Sequence, residues 1–165
     1  MRGVAAVAAA VLAVSGLAGC RTNVGVAATV EGHRITESQV NQYLTSKSQP
    51  LKTSSQSGAS QSVPPRSFVL NILIKQRLYL ALLRKTPKGV PSDGQIAAAV
   101  QQELKGRTDR QVAEGLGVKG YSDSFNRFIL KFSVLGGQLD SDVQAGVDVN
   151  SIVAKLKFPV SVNPR

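Results

Sequence analysis

The stretch from Arg66 to Lys85 constrains the fold more than any other part of this chain. Phe68, Val69, Leu70, Ile72, Leu73, Ile74, Leu78, Tyr79, Leu80, Leu82 and Leu83 follow one another with hardly a polar face between them. An amphipathic helix lying on a core shows one apolar stripe; a helix apolar nearly all round must be packed on most sides. The segment therefore predicts a central helix enclosed by other elements, and so a mainly helical domain. A membrane span is the weaker reading, because Lys75 and Arg77 sit in its middle, where charge is costly in a bilayer.

Helices are available to enclose it. Thr36-Glu37-Ser38-Gln39 and Ser92-Asp93-Gly94-Gln95 are capping-box patterns, with a hydroxyl at the N-cap and a Gln three residues on that reaches back to it. They open helices expected over about 37–46, with Val40, Tyr43 and Leu44 inward, and to about Lys105, with Ile96, Val100 and Leu104 inward. Thr108 or Asp109 caps a short helix through Leu116, ended by Gly115 and Gly117. Tyr121-Ser122-Asp123 opens another, to about Leu139, with Phe125, Phe128, Ile129, Phe132 and Leu135 at helical spacing. Gly136-Gly137 then reads as its terminus, and Asp140 and Asp142 as solvated or capping groups on the loop beyond. Asp148 caps a last helix to Leu156. Strand signals are confined to the ends. Ala27–Val30 and His33–Ile35 flank a Glu31-Gly32 turn, and Phe158–Val162 alternates around Pro159. Residues 46–65 are rich in Ser and Gln, close on Pro64-Pro65, and read as a flexible surface loop.

The first residues do not belong to this domain. Met1-Arg2-Gly3 is a short positive start, and Val4 to Leu17 is an apolar run of Ala, Val and Leu. The run is too short for a bilayer core of about 30 Å and has the form of a secretory signal over 1–19. Leu17-Ala18-Gly19-Cys20 resembles the lipobox of bacterial lipoproteins, in which the chain is cut between Gly19 and Cys20 and the thiol carries a diacylglycerol. The competing reading is an ordinary signal peptide followed by a chance cysteine. Cys20 is the sole cysteine of the chain and stands at the one position the box requires. Residues 20–26 would then be a lipidated tether, 27–165 the domain, and the location the extracytoplasmic face of a cell membrane. With Cys20 lipidated no disulfide can form, so packing alone must hold the fold.

Ala28-Thr29-Val30-Glu31-Gly32-His33-Arg34-Ile35-Thr36 resembles the opening of the chaperone domain of SurA- and PrsA-type folding factors, a short strand, an Asn-Gly turn and a capped helix. Glu31 stands in the place of the usual Asn. Leu73-Ile74-Lys75-Gln76-Arg77-Leu78 matches the family's next apolar helix. Lys88-Gly89-Val90-Pro91-Ser92 resembles the turn that follows, and Val160-Ser161-Val162-Asn163-Pro164-Arg165 the closing segment of short lipoproteins that carry this domain. The resemblance implies a helical SurA-N-like domain closed by a two- or three-stranded sheet that pairs Ala28–Val30 with Val160–Val162. It also implies a chaperone-like domain that shields apolar segments of exported polypeptides. Phe68, Ile72, Leu78, Phe125, Phe128 and Phe132 would line the client groove between helices 66–85 and 122–139.

Family members that isomerise X-Pro bonds carry an additional parvulin domain of about a hundred residues, for which this chain has no room. Gly136-Gly137-Gln138-Leu139 only faintly resembles the parvulin stretch, since Asp140 replaces its last glycine. The single histidine, His33, falls on a turn, and no His, Cys or carboxylate cluster has metal-ligand spacing. No enzyme activity, cofactor or metal is expected. Lys and Arg outnumber Asp and Glu by 20 to 10, a formal net charge of +10. With no tryptophan and 5% aromatic residues, the chain lacks a base-stacking surface, and export makes nucleic acid an unexpected partner. Arg66, Lys75, Arg77, Arg84, Lys85 and Lys88 carry 66–88 without one acidic residue. They suit a helix C-terminus and, alternatively, a face for anionic lipid or wall polymer. A structural or adaptor lipoprotein using that face is the second functional expectation.

Overall fold

The computed structural model describes residues 25–54, 60–156 and 160–163. Strand β1 (Val26–Val30) turns back as β2 (His33–Thr36), and helix α1 (Glu37–Asn41) follows at once. Next come a hairpin of β3 (Leu51–Ser54) and β4 (Ser60–Val63), then helices α2 (Pro65–Leu83), α3 (Asp93–Leu104), α4 (Asp109–Gly115), α5 (Asp123–Gln144) and α6 (Val149–Lys155). Strand β5 (Val160–Val162) ends the described chain. The domain is mainly helical and is closed by a small antiparallel sheet in the order β2-β1-β5.

That sheet joins the two ends of the domain as expected. Ala28, Thr29 and Val30 pair with Val162, Ser161 and Val160, and on the other side with Ile35, Arg34 and His33. The β1–β2 turn has two positive φ angles, 50° at Glu31 and 79° at Gly32. This is the type I′ geometry that matches strand twist, although Glu31 is a poor residue for it. As the middle strand, β1 is covered on both faces: Ala27, Ala28 and Val30 are at most 1% exposed.

Local chemistry sets the helix starts. Thr36, Ser92 and Thr108 each accept from the backbone N–H three residues on, and Gln39, Gln95 and Gln111 each return a bond to the cap N–H. Ser122 and Asp148 cap α5 and α6 in the simpler way. α2 has no side-chain cap and begins instead with Pro65 in its first turn, where the missing N–H costs nothing. At its far end the hydroxyl of buried Thr86 donates to the Leu83 carbonyl at 3.0 Å.

The core is built along α2 and α5 in three clusters. One cluster joins β1, Ile35 and Val40 to Phe68, Val69, Leu73, Leu78, Phe125 and Ile129. A second gathers Leu82, Leu83, Leu135, Leu139 and Val149 at the other end of these helices, and a third holds α3 and α4 to α5 through Val100, Leu104, Val112 and Leu130. The helix expected at 66–85 is enclosed, with Val69 and Leu83 fully buried.

Three expectations are corrected. The 46–65 segment contains a paired hairpin, with Leu51 opposite Val63 and Lys52 opposite Ser62. Leu51 and Val63 anchor it on the core, and backbone pairing does the rest. Helix α1 ends at Asn41. The chain then runs on through short turns, Tyr43 N–H to Val40 O and Leu44 N–H to Asn41 O, which leave Tyr43 and Leu44 half-buried. Helix α5 does not stop at Gly136-Gly137 but continues to Gln144. A Cβ on Gly136 would lie 3.6 Å from the Tyr79 ring, in ordinary van der Waals contact, and one on Gly137 would meet nothing, so neither glycine is demanded by a close approach. Asp140 and Asp142 are consequently helical, and Asp142 is fully buried.

Candidate functional site

The six residues expected to line a client groove divide into two sets. Phe68, Leu78 and Phe125 belong to the core, Phe125 with no exposed surface. Ile72, Phe128 and Phe132 are half-buried. Between α2 and α5 the aromatic rings fill the seam. Phe68 meets Phe125 edge-on, with centroids 5.9 Å apart, and Tyr79 stacks on Phe132 at 5.0 Å and 12°. Such pairs add about 0.5–1.5 kcal/mol to their burial. The α2–α5 seam is therefore a packed interface, and the expectation of an open groove through Phe68, Leu78 and Phe125 is corrected.

What stays open lies at the start of α5, beside the turn after α1. Tyr43 and Phe128, with centroids 5.3 Å apart, form the floor of a shallow basin of about 450 Å³, rimmed by Asp123, Ser124, Arg127 and Lys131. Tyr43 also tilts against buried Phe125 at 5.2 Å, which fixes the ring on the core. Burial raises the Tyr43 phenol pKa, and the hydrogen bond with Gln42 partly opposes this, so the group stays neutral at ordinary pH.

The rim is mostly paired. Arg127 donates to Asp109 at 2.9 Å, and Arg110 to Asp123 at 2.8 Å, tying α4 to the first turns of α5. Both arginines are well exposed, so each pair contributes about 0–1 kcal/mol. Lys131 has no ion-pair partner among the described residues and is the free cation of the rim. An apolar floor with one free positive charge can take an apolar side chain, with acidic or neutral polar flanks beside it.

The sequence placed Tyr43 on a buried helix face and gave Arg127 and Lys131 no role. Their flanking of Phe128 one and three positions away was the available signal. His33 is an exposed hairpin residue. Among the described residues there is no group of His, Cys, Asp and Glu able to hold a metal, and no helix long and apolar enough to cross a membrane. Gly19, Cys20 and the whole 1–19 segment lie outside the described residues. Comparison with known protein families, curated proteins and solved structures finds no match.

Proposed function

We propose that this chain is a lipid-anchored extracytoplasmic protein whose SurA-N-type domain binds polypeptides in a chaperone-like manner, without isomerase chemistry. The Tyr43–Phe128 basin carries this reading: it is an aromatic surface left open beside an otherwise filled core. The closure of the domain by β1 and β5 supports the SurA-type architecture, and the lipobox at Leu17–Cys20 supports the anchor.

Two measurements test it. The full chain should slow the aggregation of an unfolded reporter protein, and Phe128→Ala should weaken that effect while leaving the circular dichroism spectrum unchanged. No effect of the wild-type chain at micromolar concentration overturns the binding reading. In a bacterial host, the protein should label with palmitate and partition to the membrane, and Cys20→Ser should abolish both. Labelling that survives the substitution overturns the anchor.

One observation favours the adaptor reading. Exposed large apolar side chains are few among the described residues, Val90, Leu116, Val143 and Val162, while Lys and Arg outnumber Asp and Glu by 20 to 10 over the chain, a balance that suits a charged partner. Binding of anionic vesicles that falls steeply with salt, without any effect on aggregation, would establish the adaptor.

A further inference from the structure

A second pocket, of about 380 Å³, lies where the 45–48 turn meets the loop between α4 and α5. The two loops are laced together. Gln49 N–H donates to Lys119 O at 3.0 Å, Ser122 N–H to Tyr43 O at 3.2 Å, and the Tyr121 hydroxyl to Gln49 O at 2.9 Å. The Thr45 and Ser48 hydroxyls both donate to the Gly120 carbonyl. Gly120 has a φ of +76°, and a Cβ there would fall 1.9 Å from the Lys47 carbonyl, so the loops touch backbone to backbone. The loop groups nearest to the pocket are already spent on each other.

One group is not. Asn126, only 2% exposed, lines this pocket from the first turns of α5, and its Oδ1 is buried without a hydrogen-bond partner. Its neighbours Phe125 and Ile129 are core residues, so nothing in the helix pattern calls for a polar side chain here. Buried amide oxygens are nearly always satisfied, which makes an orphan on a residue lining a pocket a pointer to a ligand.

The walls define that ligand. Val118 and Tyr121 are apolar, while the mouth carries Lys47 and Arg110 on one side of the charge balance and Glu114 on the other. Mixed signs select neither a simple anion nor a simple cation. A carboxamide sets an acceptor and a donor side by side, and a half-turn about χ2 exchanges them. The complementary group is another amide, with N–H and C=O adjacent. We propose that the Asn126 pocket binds the main-chain amide of an extended polypeptide segment, reading backbone instead of side chains. This rests on the polypeptide-binding reading for the nature of the ligand, but it uses a site separate from the Tyr43–Phe128 basin.

The experiment is a titration of the full chain, followed by side-chain amide NMR, with a blocked peptide made only of glycine and serine. Such a peptide offers backbone and no apolar anchor. The Asn126 NH₂ resonances should shift saturably. A peptide N-methylated at alternate residues should bind about tenfold more weakly or not at all, since each lost N–H removes a paired contact. Asn126→Ala should abolish binding of the glycine–serine peptide. Equal binding of the N-methylated peptide, or unmoved Asn126 resonances, overturns the proposal. If those resonances stay still while the chain suppresses aggregation, the backbone site is refuted and polypeptide binding at the basin stands. If the chain does neither, both fail. Because the resonances are read in the wild-type protein, the outcome does not depend on Asn126→Ala folding.

Discussion

Replacing Lys88 by Met should expose how the far end of the domain is held. Asp142, buried in α5, has its Oδ1 3.4 Å from Lys88 Nζ and 3.1 Å from Gln138 Nε2, while its Oδ2 has no partner. The carboxylate therefore leans on one ammonium, brought in by the loop between α2 and α3. At 3.4 Å and an effective dielectric of about 20, the gross attraction is about 5 kcal/mol. Lys88 is half exposed, 52%, so water screens it and it regains hydration when freed. The net loss on truncation falls between the roughly 3–5 kcal/mol of a broken buried pair and the 0–1 kcal/mol of a surface pair, at about 2 kcal/mol. Met retains the apolar stem and removes the ammonium, with both its Asp142 ion pair and its exposed 3.1 Å hydrogen bond to Ser141 Oγ. Asp142→Asn should cost under about 1 kcal/mol, since it removes the buried charge and keeps the shape. In the Asp142→Asn background, Lys88→Met should then cost only the exposed Ser141 hydrogen bond, about 0.5 kcal/mol. Urea unfolding of the four proteins, followed by circular dichroism, gives the coupling directly as a double-mutant cycle. If Lys88→Met costs the same about 2 kcal/mol with and without the Asp142 carboxylate, or nothing in either case, the ion pair is not what holds this loop.

Three further outcomes are expected. Gly120→Ala should destabilise by about 2–4 kcal/mol, combining strained positive φ with a collision against the Lys47 carbonyl; a thermal melt within a degree of wild type would refute the close approach. Glu31→Asn should stabilise by about 0.5–1 kcal/mol, because Asn tolerates the φ of 50° at this turn position; an unchanged or lower midpoint in urea would refute the turn assignment. Tyr43, Tyr79 and Tyr121 have phenol pKa values raised by burial, with Asp140 adding to the effect at Tyr79. Above pH of about 10 the unfolded chain loses phenolic protons that the folded chain retains, so the unfolded state binds fewer protons and stability falls as pH rises. Tyrosinate absorbance should therefore appear at higher pH in the native protein than in guanidinium, and coincident curves would refute it.

Features of short range were legible in the sequence. The capping boxes at Thr36 and Ser92 are three-residue chemistry and appear where the residues put them, and of the two caps open at the fourth helix, Thr108 and Asp109, it is Thr108 that caps, in a third box with Gln111. The all-round apolar character of 66–85 correctly demanded enclosure. The β3–β4 hairpin was not legible, because its strands are built from Ser, Thr, Gln and Lys, with apolar anchors only at Leu51 and Val63. Gly136-Gly137 misled for the opposite reason: local propensity argues for a stop, and packing of Leu135 and Leu139 on Leu82 and Leu83 of α2 overrides it. Periodicity placed Phe68, Leu78 and Phe125 on apolar faces correctly, but it cannot say whether another helix covers a face. Here α2 and α5 cover each other. The basin was half legible, through Phe128 and its cationic flanks. Asn126 carried no signal, since an Asn in a helix is ordinary until its surroundings are known.

The pairing of β1 between β2 and β5 has a consequence for the order of assembly. Synthesis delivers Val26–Val30 early and Val160–Val162 only after every helix. Until then the middle strand of the sheet has one bare edge, and the loop that must close to cover it spans nearly the whole domain. The contacts that complete the sheet are thus of the slow, long-range kind. A chain lacking Val160–Val162 keeps an adhesive strand edge open to pairing with other strands, the edge that β5 covers in the folded domain.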